Sequence, residues 1–164
     1  MPNLKSSKPK RAILLLIGLI IVVLSFSFIY KMSSQDGYRS NAVSKRVVHF
    51  FRDNVDILNA INQNPYINSI NFNIIVRKIA HFTEYFFLFL IVHIVLSFTK
   101  LNDKRKKFIS LFSCVLFAVT DEFHQLFVSG RTPLITDIII DSLGALTAMQ
   151  LISVLKKREQ KASD

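Results

Sequence analysis

One stretch of this chain carries no charge at all: Ala12 to Tyr30, closed by Arg11 on one side and Lys31 on the other. A helix needs about 20 apolar residues to cross a bilayer, and this stretch is close to that length. Three further apolar runs follow, from about Lys78 to Thr99, Phe108 to Ser129 and Pro133 to Leu155. The chain has 164 residues, 51% of them hydrophobic. That suits one domain, and is too apolar for an ordinary soluble one. The expectation is an all-α, polytopic membrane helical bundle, a single domain over residues 1–164, with four transmembrane helices at about 12–30, 78–99, 108–129 and 133–155. A cleaved signal peptide is the rival reading of the first run. Its apolar core would be roughly 7–15 residues long and end in small side chains. This run is longer and ends Ser27-Phe28-Ile29-Tyr30, which favours a retained anchor. Pro133 can open the fourth helix, where its missing N–H would have no partner anyway.

A formal charge of +10 raises the question of nucleic acid. The basic residues lie just outside the apolar runs, which is how membrane proteins set their topology, so the expected partner is the lipid bilayer and no nucleic acid. Lys5, Lys8, Lys10 and Arg11 precede the first run. Lys100, Lys104, Arg105, Lys106 and Lys107 fill the loop between the second and third. Lys156, Lys157, Arg158 and Lys161 follow the fourth. The positive-inside rule puts all three segments, and both termini, in the cytoplasm. Residues 31–77 and the short turn at 129–132 then face outward. The single Cys114 rules out an internal disulfide framework.

In the outward segment Val47, Phe50, Phe51, Val55, Leu58 and Ile61 recur at roughly helical spacing among Lys45, Arg46, Arg52 and Asp53. This predicts an amphipathic helix on the outer leaflet between the first and second spans. A packed connector helix fits the same pattern. His49 is expected at the surface. Asn64-Pro65 marks a break, and Ser33 to Gly37 a turn or helix exit.

The later runs cannot cross a membrane without burying acids. Asp121, Glu122 and Gln125 fall inside the third, and Asp137 and Asp141 inside the fourth. An ionisable group at the centre of a membrane helix costs roughly 2.5–3.5 kcal/mol and by default marks a functional site. The topology brings these groups together. His81 and Glu84 lie in the outer half of the second span, Asp121 to Gln125 near the outer end of the third, and Asp137 and Asp141 in the first turns of the fourth. With a rise of 1.5 Å per residue, the layer sits roughly 4–13 Å below the outer boundary. His81 and Glu84 share a face, as do Asp137 and Asp141. Only one of the adjacent Asp121 and Glu122 need face the bundle; Glu122 is expected to, because it shares a stripe with Cys114 and Ala118. Asp141 likewise shares a side with Gly144, Ala145 and Ala148, and small residues there indicate close helix contact. Arg131 is long enough to reach down from the turn. An Arg131–Asp137 salt bridge accounts for part of the cluster, but the acids outnumber the cations. His124 and His93 read as interfacial or packed histidines.

Three runs carry a family resemblance: Arg77-Lys78-Ile79-Ala80-His81-Phe82-Thr83-Glu84-Tyr85, Asp121-Glu122-Phe123-His124-Gln125 through Ser129-Gly130-Arg131, and Asp137 through Asp141-Ser142-Leu143-Gly144-Ala145, with a weaker match at Ser33 to Gly37. In order and spacing they resemble the VanZ-like family of bacterial integral membrane proteins, over roughly residues 12–155. The resemblance implies a place in the bacterial cytoplasmic membrane and a link to resistance against the glycopeptide teicoplanin. The residues that match its pattern are Lys78, His81, Glu84, Glu122, Gln125, Arg131, Asp137 and Asp141. They coincide with the layer derived from topology.

Three functions compete. In the first, the layer binds a lipid headgroup, a lipid-linked cell-wall precursor or a lipophilic glycopeptide. Lys78, Gln125, Arg131 and Asp137 would then be the ligand contacts. In the second, His81, Glu84, Glu122 and Asp141 are the acid–base groups of an intramembrane hydrolase acting on a lipid or phosphate ester, or hold a divalent metal. Their spacing matches no strong zinc motif, and Cys114 lies too far away to act as a nucleophile. In the third, the acids serve a proton-coupled carrier, for which four helices without an internal repeat form a small pathway.

Overall fold

The computed structural model describes residues 8–54 and 72–163, which form five α-helices and no strand. They are α1 (Lys8–Ser33), α2 (Gly37–Asn54), α3 (Phe72–Ser97), α4 (Asp103–Gln125) and α5 (Ile135–Ser163). Val55, Leu58, Ile61 and the Asn64-Pro65 break lie outside the described residues.

Three of the helices are long and apolar enough to cross a membrane: Lys8–Ser33, Phe72–Ser97 and Ile135–Ala162. α4 is not among them. It opens on Asp103-Lys104-Arg105-Lys106-Lys107 and closes on Asp121, Glu122, His124 and Gln125, so its apolar middle is short. Apolar side chains cover the outside of the bundle, including Leu16, Leu19, Val23, Leu24 and Phe28 of α1 and Phe87 and Ile94 of α3. Such a surface belongs in lipid, where each backbone polar group needs an internal partner. Hydroxyls obey the same demand by bonding back to the preceding turn: Ser25 Oγ donates to the Ile21 carbonyl (2.8 Å), Ser27 Oγ to Val23 (2.8 Å), Thr83 Oγ1 to Ile79 (2.7 Å) and Ser142 Oγ to Ile138 (2.7 Å).

α3 is the hub. It packs most extensively on α5 and also against α1, α2 and α4. Its inner face buries Tyr85, Leu88, Phe89, Val92 and His93, the last stacked on Phe89 with ring centroids 5.8 Å apart. Facing it are Cys114 and Ala118 of α4 and Ala145 and Ala148 of α5, all fully buried. These small side chains let the helices close up. At Gly144 the approach is so tight that a Cβ would lie 2.2 Å from the Phe82 carbonyl oxygen.

Several helix ends differ from the expected spans. α3 begins at Phe72, before Lys78. α4 stops at Gln125, short of Ser129, because the chain turns sharply through Gly130, whose φ of 69° is the left-handed conformation that glycine adopts without strain. α5 starts at Ile135, two residues after Pro133, and runs past Leu155 to Ser163. At the other end of α4, Asn102 caps the helix by accepting from the Arg105 N–H at 2.9 Å.

α1 is tied in at both ends. Arg11 Nε donates to the Phe98 carbonyl. At the far end α1 leaves through a turn at Ser34, and Asp36 caps α2 by accepting from the Arg39 N–H at 2.7 Å. The Gly37 N–H then donates to the Ser129 carbonyl at 3.2 Å. This contact brings the α1–α2 corner onto the α4–α5 turn. His49 of α2 is exposed, as expected.

Candidate functional site

The ionisable residues of the apolar runs gather at the end of the bundle where the α1–α2 corner meets the α4–α5 turn. α3 and α5 supply two pairs across their interface. Lys78 Nζ donates to Asp137 Oδ1 at 2.5 Å, and the Asp137 side chain is only 9% exposed. One turn deeper, His81 Nδ1 lies 3.4 Å from Asp141 Oδ1, without the alignment of a hydrogen bond. The i, i+3 step in α3 matches the i, i+4 step in α5, so two helices running in the same direction repeat the pairing one turn further on. Lys78, not Arg131, is therefore the partner of Asp137.

Arg131 reaches down from the turn and donates from Nε to the Gln35 carbonyl at 3.1 Å. Its side chain lines a small cavity of about 80 Å³ together with His81, Glu84, Ser33 and Ser44. Glu84 is half-buried, within electrostatic reach of His81, Asp141, Asp121 and Arg131. The cavity thus unites His81, Glu84 and Arg131 and draws a further wall from α1 and α2.

Glu122 and Gln125 turn elsewhere. Glu122 Oε1 accepts from the Leu134 N–H at 2.5 Å, just ahead of α5, where the unpaired N–H groups and dipole of a helix start favour an anion. Gln125 Nε2 donates to Ser33 Oγ at 3.0 Å and fastens α4 to α1. Asp121 corrects one expectation. It is as buried as Glu122, at 2% against 5% exposure, so both acids face inward. Neither Asp121 oxygen has a hydrogen-bond partner among the described residues, although Ser33 and Gln125 lie beside it. Adjacent helical residues point about 100° apart, and α4 buries both because it packs against α1, α3 and α5 together.

Sequence reasoning also missed Tyr85. It is fully buried, its hydroxyl has no partner among the described residues, and it lies within electrostatic reach of Asp141 and Asp121. The spacing contained the signal, since Tyr85 is four residues after His81 on the same face. Ser33, Gln35 and Ser44 had no such signal, because their place depends on how the α1–α2 corner folds over α3.

Among the described residues no three His, Cys, Asp or Glu side chains are placed to hold a metal ion. The set His81, Glu84, Glu122 and Asp141 does not converge on one point, because Glu122 is engaged at the start of α5. The layer nevertheless holds Glu84, Asp121, Glu122, Asp137 and Asp141 against Lys78 and Arg131, with Arg77 in electrostatic reach of Arg131. Buried carboxyls in excess of nearby cations require protons, water or a bound cationic or hydrogen-bonding group.

The model of the VanZ/LLP1 family matches residues 13–156, which include every residue of this layer. The chain belongs to that family. Compared with curated proteins and with solved structures it has no significant match. Membership in the VanZ/LLP1 family and the apolar helices make this a membrane protein of VanZ type. Its polar layer lies wholly within the family's matched length, whereas the basic tail after Lys156 lies outside it.

Proposed function

We propose that this chain is a cell-envelope protein of the bacterial cytoplasmic membrane. In this reading α4 completes a set of four spans, both termini are cytoplasmic and α2 rests at the outer leaflet. The layer around His81, Glu84 and Arg131 then faces outward and binds the polar group of an amphiphile: a lipid headgroup, a lipid-linked cell-wall precursor or a lipophilic glycopeptide such as teicoplanin. One observation carries the reading. Ionisable side chains from α3 and the α4–α5 turn line a cavity of about 80 Å³ just inside the end of the bundle. Its size suits one small polar group of a larger ligand, not a whole headgroup. Arg131 supplies the donors for a phosphate or carboxylate, and Glu84 accepts from hydroxyls or amines.

The test is Arg131→Ala in a strain that depends on this protein for teicoplanin tolerance. Tolerance should fall several-fold while the amount inserted in the membrane stays the same. Unchanged tolerance at equal abundance counts against the reading.

The His81–Asp141 pair favours one alternative, an intramembrane acid–base hydrolase of a lipid or phosphate ester. The Asp141 carboxylate lies 3.4 Å from Nδ1 and leaves Nε2 for proton transfer. Hydrolysis by the purified protein that disappears in His81→Gln would select this alternative.

A further inference from the structure

We infer that the broad groove beside the α1–α2 corner is a second binding site, for the phosphate or diphosphate group of an anionic lipid. It adjoins the cavity at His81, sharing Gln35 and Val43 with it, but carries its own cations, and it rests on the proposed orientation, not on what that cavity binds. The groove measures about 790 Å³, within the ~300–1,000 Å³ usual for ligand pockets. Lys31 from the end of α1, Arg39 and Arg46 two turns apart on α2 and His124 from the last turn of α4 line it. Val43 and Phe127 supply apolar wall.

The charge is one-sided. Asp36 is the acid in the lining, and it is engaged as the cap of α2, 2.7 Å from the Arg39 N–H and 3.7 Å from Arg39 Nε. Among the described residues no carboxylate lies within 4.0 Å of Lys31 or Arg46. Topology does not account for these cations. In the proposed orientation they stand on the outer side, where the positive-inside rule disfavours them. His124 is held in place: its Nδ1 is 3.1 Å from the Tyr30 hydroxyl, its Nε2 3.1 Å from Ser34 Oγ, and its ring lies against Tyr30 with centroids 4.3 Å apart.

The level of the groove selects a lipid over a soluble anion. Lys31 ends the uncharged run of α1, so the groove opens where acyl chains give way to headgroups. Arginine forks match phosphate oxygens, and the apolar walls suit the first carbons of the attached chain.

The experiment uses the full chain in phosphatidylcholine nanodiscs, titrated with farnesyl diphosphate, with farnesol and inorganic diphosphate as controls. Saturable binding of farnesyl diphosphate, weaker with rising ionic strength and clearly tighter than either control, is expected. The variant Lys31→Gln/Arg39→Gln/Arg46→Gln should bind about a hundredfold more weakly, the order expected when three cations near a membrane surface are lost. Undiminished binding by that variant, or farnesol bound equally well, overturns the inference. Inorganic diphosphate bound as tightly as the lipid overturns the lipid assignment. If instead Arg131→Gln abolishes binding while the triple variant retains it, the anion belongs to the cavity and the groove is refuted. Should the triple variant fold poorly, the salt dependence of the unaltered protein still decides, since salt-independent binding refutes a site built on charge.

Discussion

Asp103 illustrates how a charged side chain is held at the edge of an apolar bundle. Burial opposes its charge, but the ammonium groups of Lys156 and Lys107 outweigh that and hold the carboxyl at about 2, below its ordinary 3.8. Lys107 is 2.9 Å away and Lys156 closer, so one carboxylate joins the start of α4 to the end of α5. Because the folded form prefers the ionised acid, its contribution to stability is complete above 3.8 and is lost as pH falls toward about 2. Asp103→Asn should therefore melt below the unaltered protein in detergent at neutral pH, with the gap closing across that acid window. The effect should be modest, since the carboxylate is 41% exposed and solvent screens it. The apolar-run pattern of the sequence showed which residues were out of place: His81, Glu84, Asp137 and Asp141 were identified from it alone. Pairings were not legible. Lys78 rather than Arg131 meets Asp137, and Asp121 is buried along with Glu122, because side chains several turns apart in sequence are brought together only by the angle between helices.

At the scale of elements, the contact between α3 and α5 positions both ion pairs. Gly144 sits at its tightest point, with the space for a Cβ taken by the carbonyl oxygen of Phe82, 2.2 Å away, and the Phe86 nitrogen, 3.2 Å away. Backbone atoms cannot swing aside as a flexible side chain can. Gly144→Ala should therefore destabilise the bundle by at least the ~1–3 kcal/mol typical of overpacking, and thermal melting in detergent would show it. The neighbouring Leu143→Ala, on a side chain 48% exposed, serves as the control and should shift melting little. The small residues on the acidic face of α5 were readable from sequence as a close-contact seam. The ends of α4 and α5 were not. Hydropathy blurs across the tight turn, whereas a left-handed Gly130 and the Glu122 bond to Leu134 mark where the helices actually stop and start.

For the whole molecule, the proposed orientation rests on which end carries the basic segments. The basic loop at 100–107 and the basic tail after Leu155 lie together, as the Lys156–Asp103 contact shows, and the polar layer lies at the opposite end. In a Cys114→Ser background, Ser129→Cys should react with a membrane-impermeant maleimide in intact cells, and Lys104→Cys only after permeabilisation. The reverse pattern would turn the molecule over and remove the outward-facing site. By itself the sequence determined the all-helical class, the apolar runs and the acids within them, because apolar runs of about 20 residues cross lipid as internally bonded helices and make every charged exception conspicuous. Only the tertiary structure decided which side chains share a cavity, that the α1–α2 corner roofs it, and that Glu122 and Gln125 brace helices while His81, Glu84 and Arg131 converge. Those outcomes depend on crossing angles and turn conformations, which arise from packing between distant segments and leave no periodic trace along the chain.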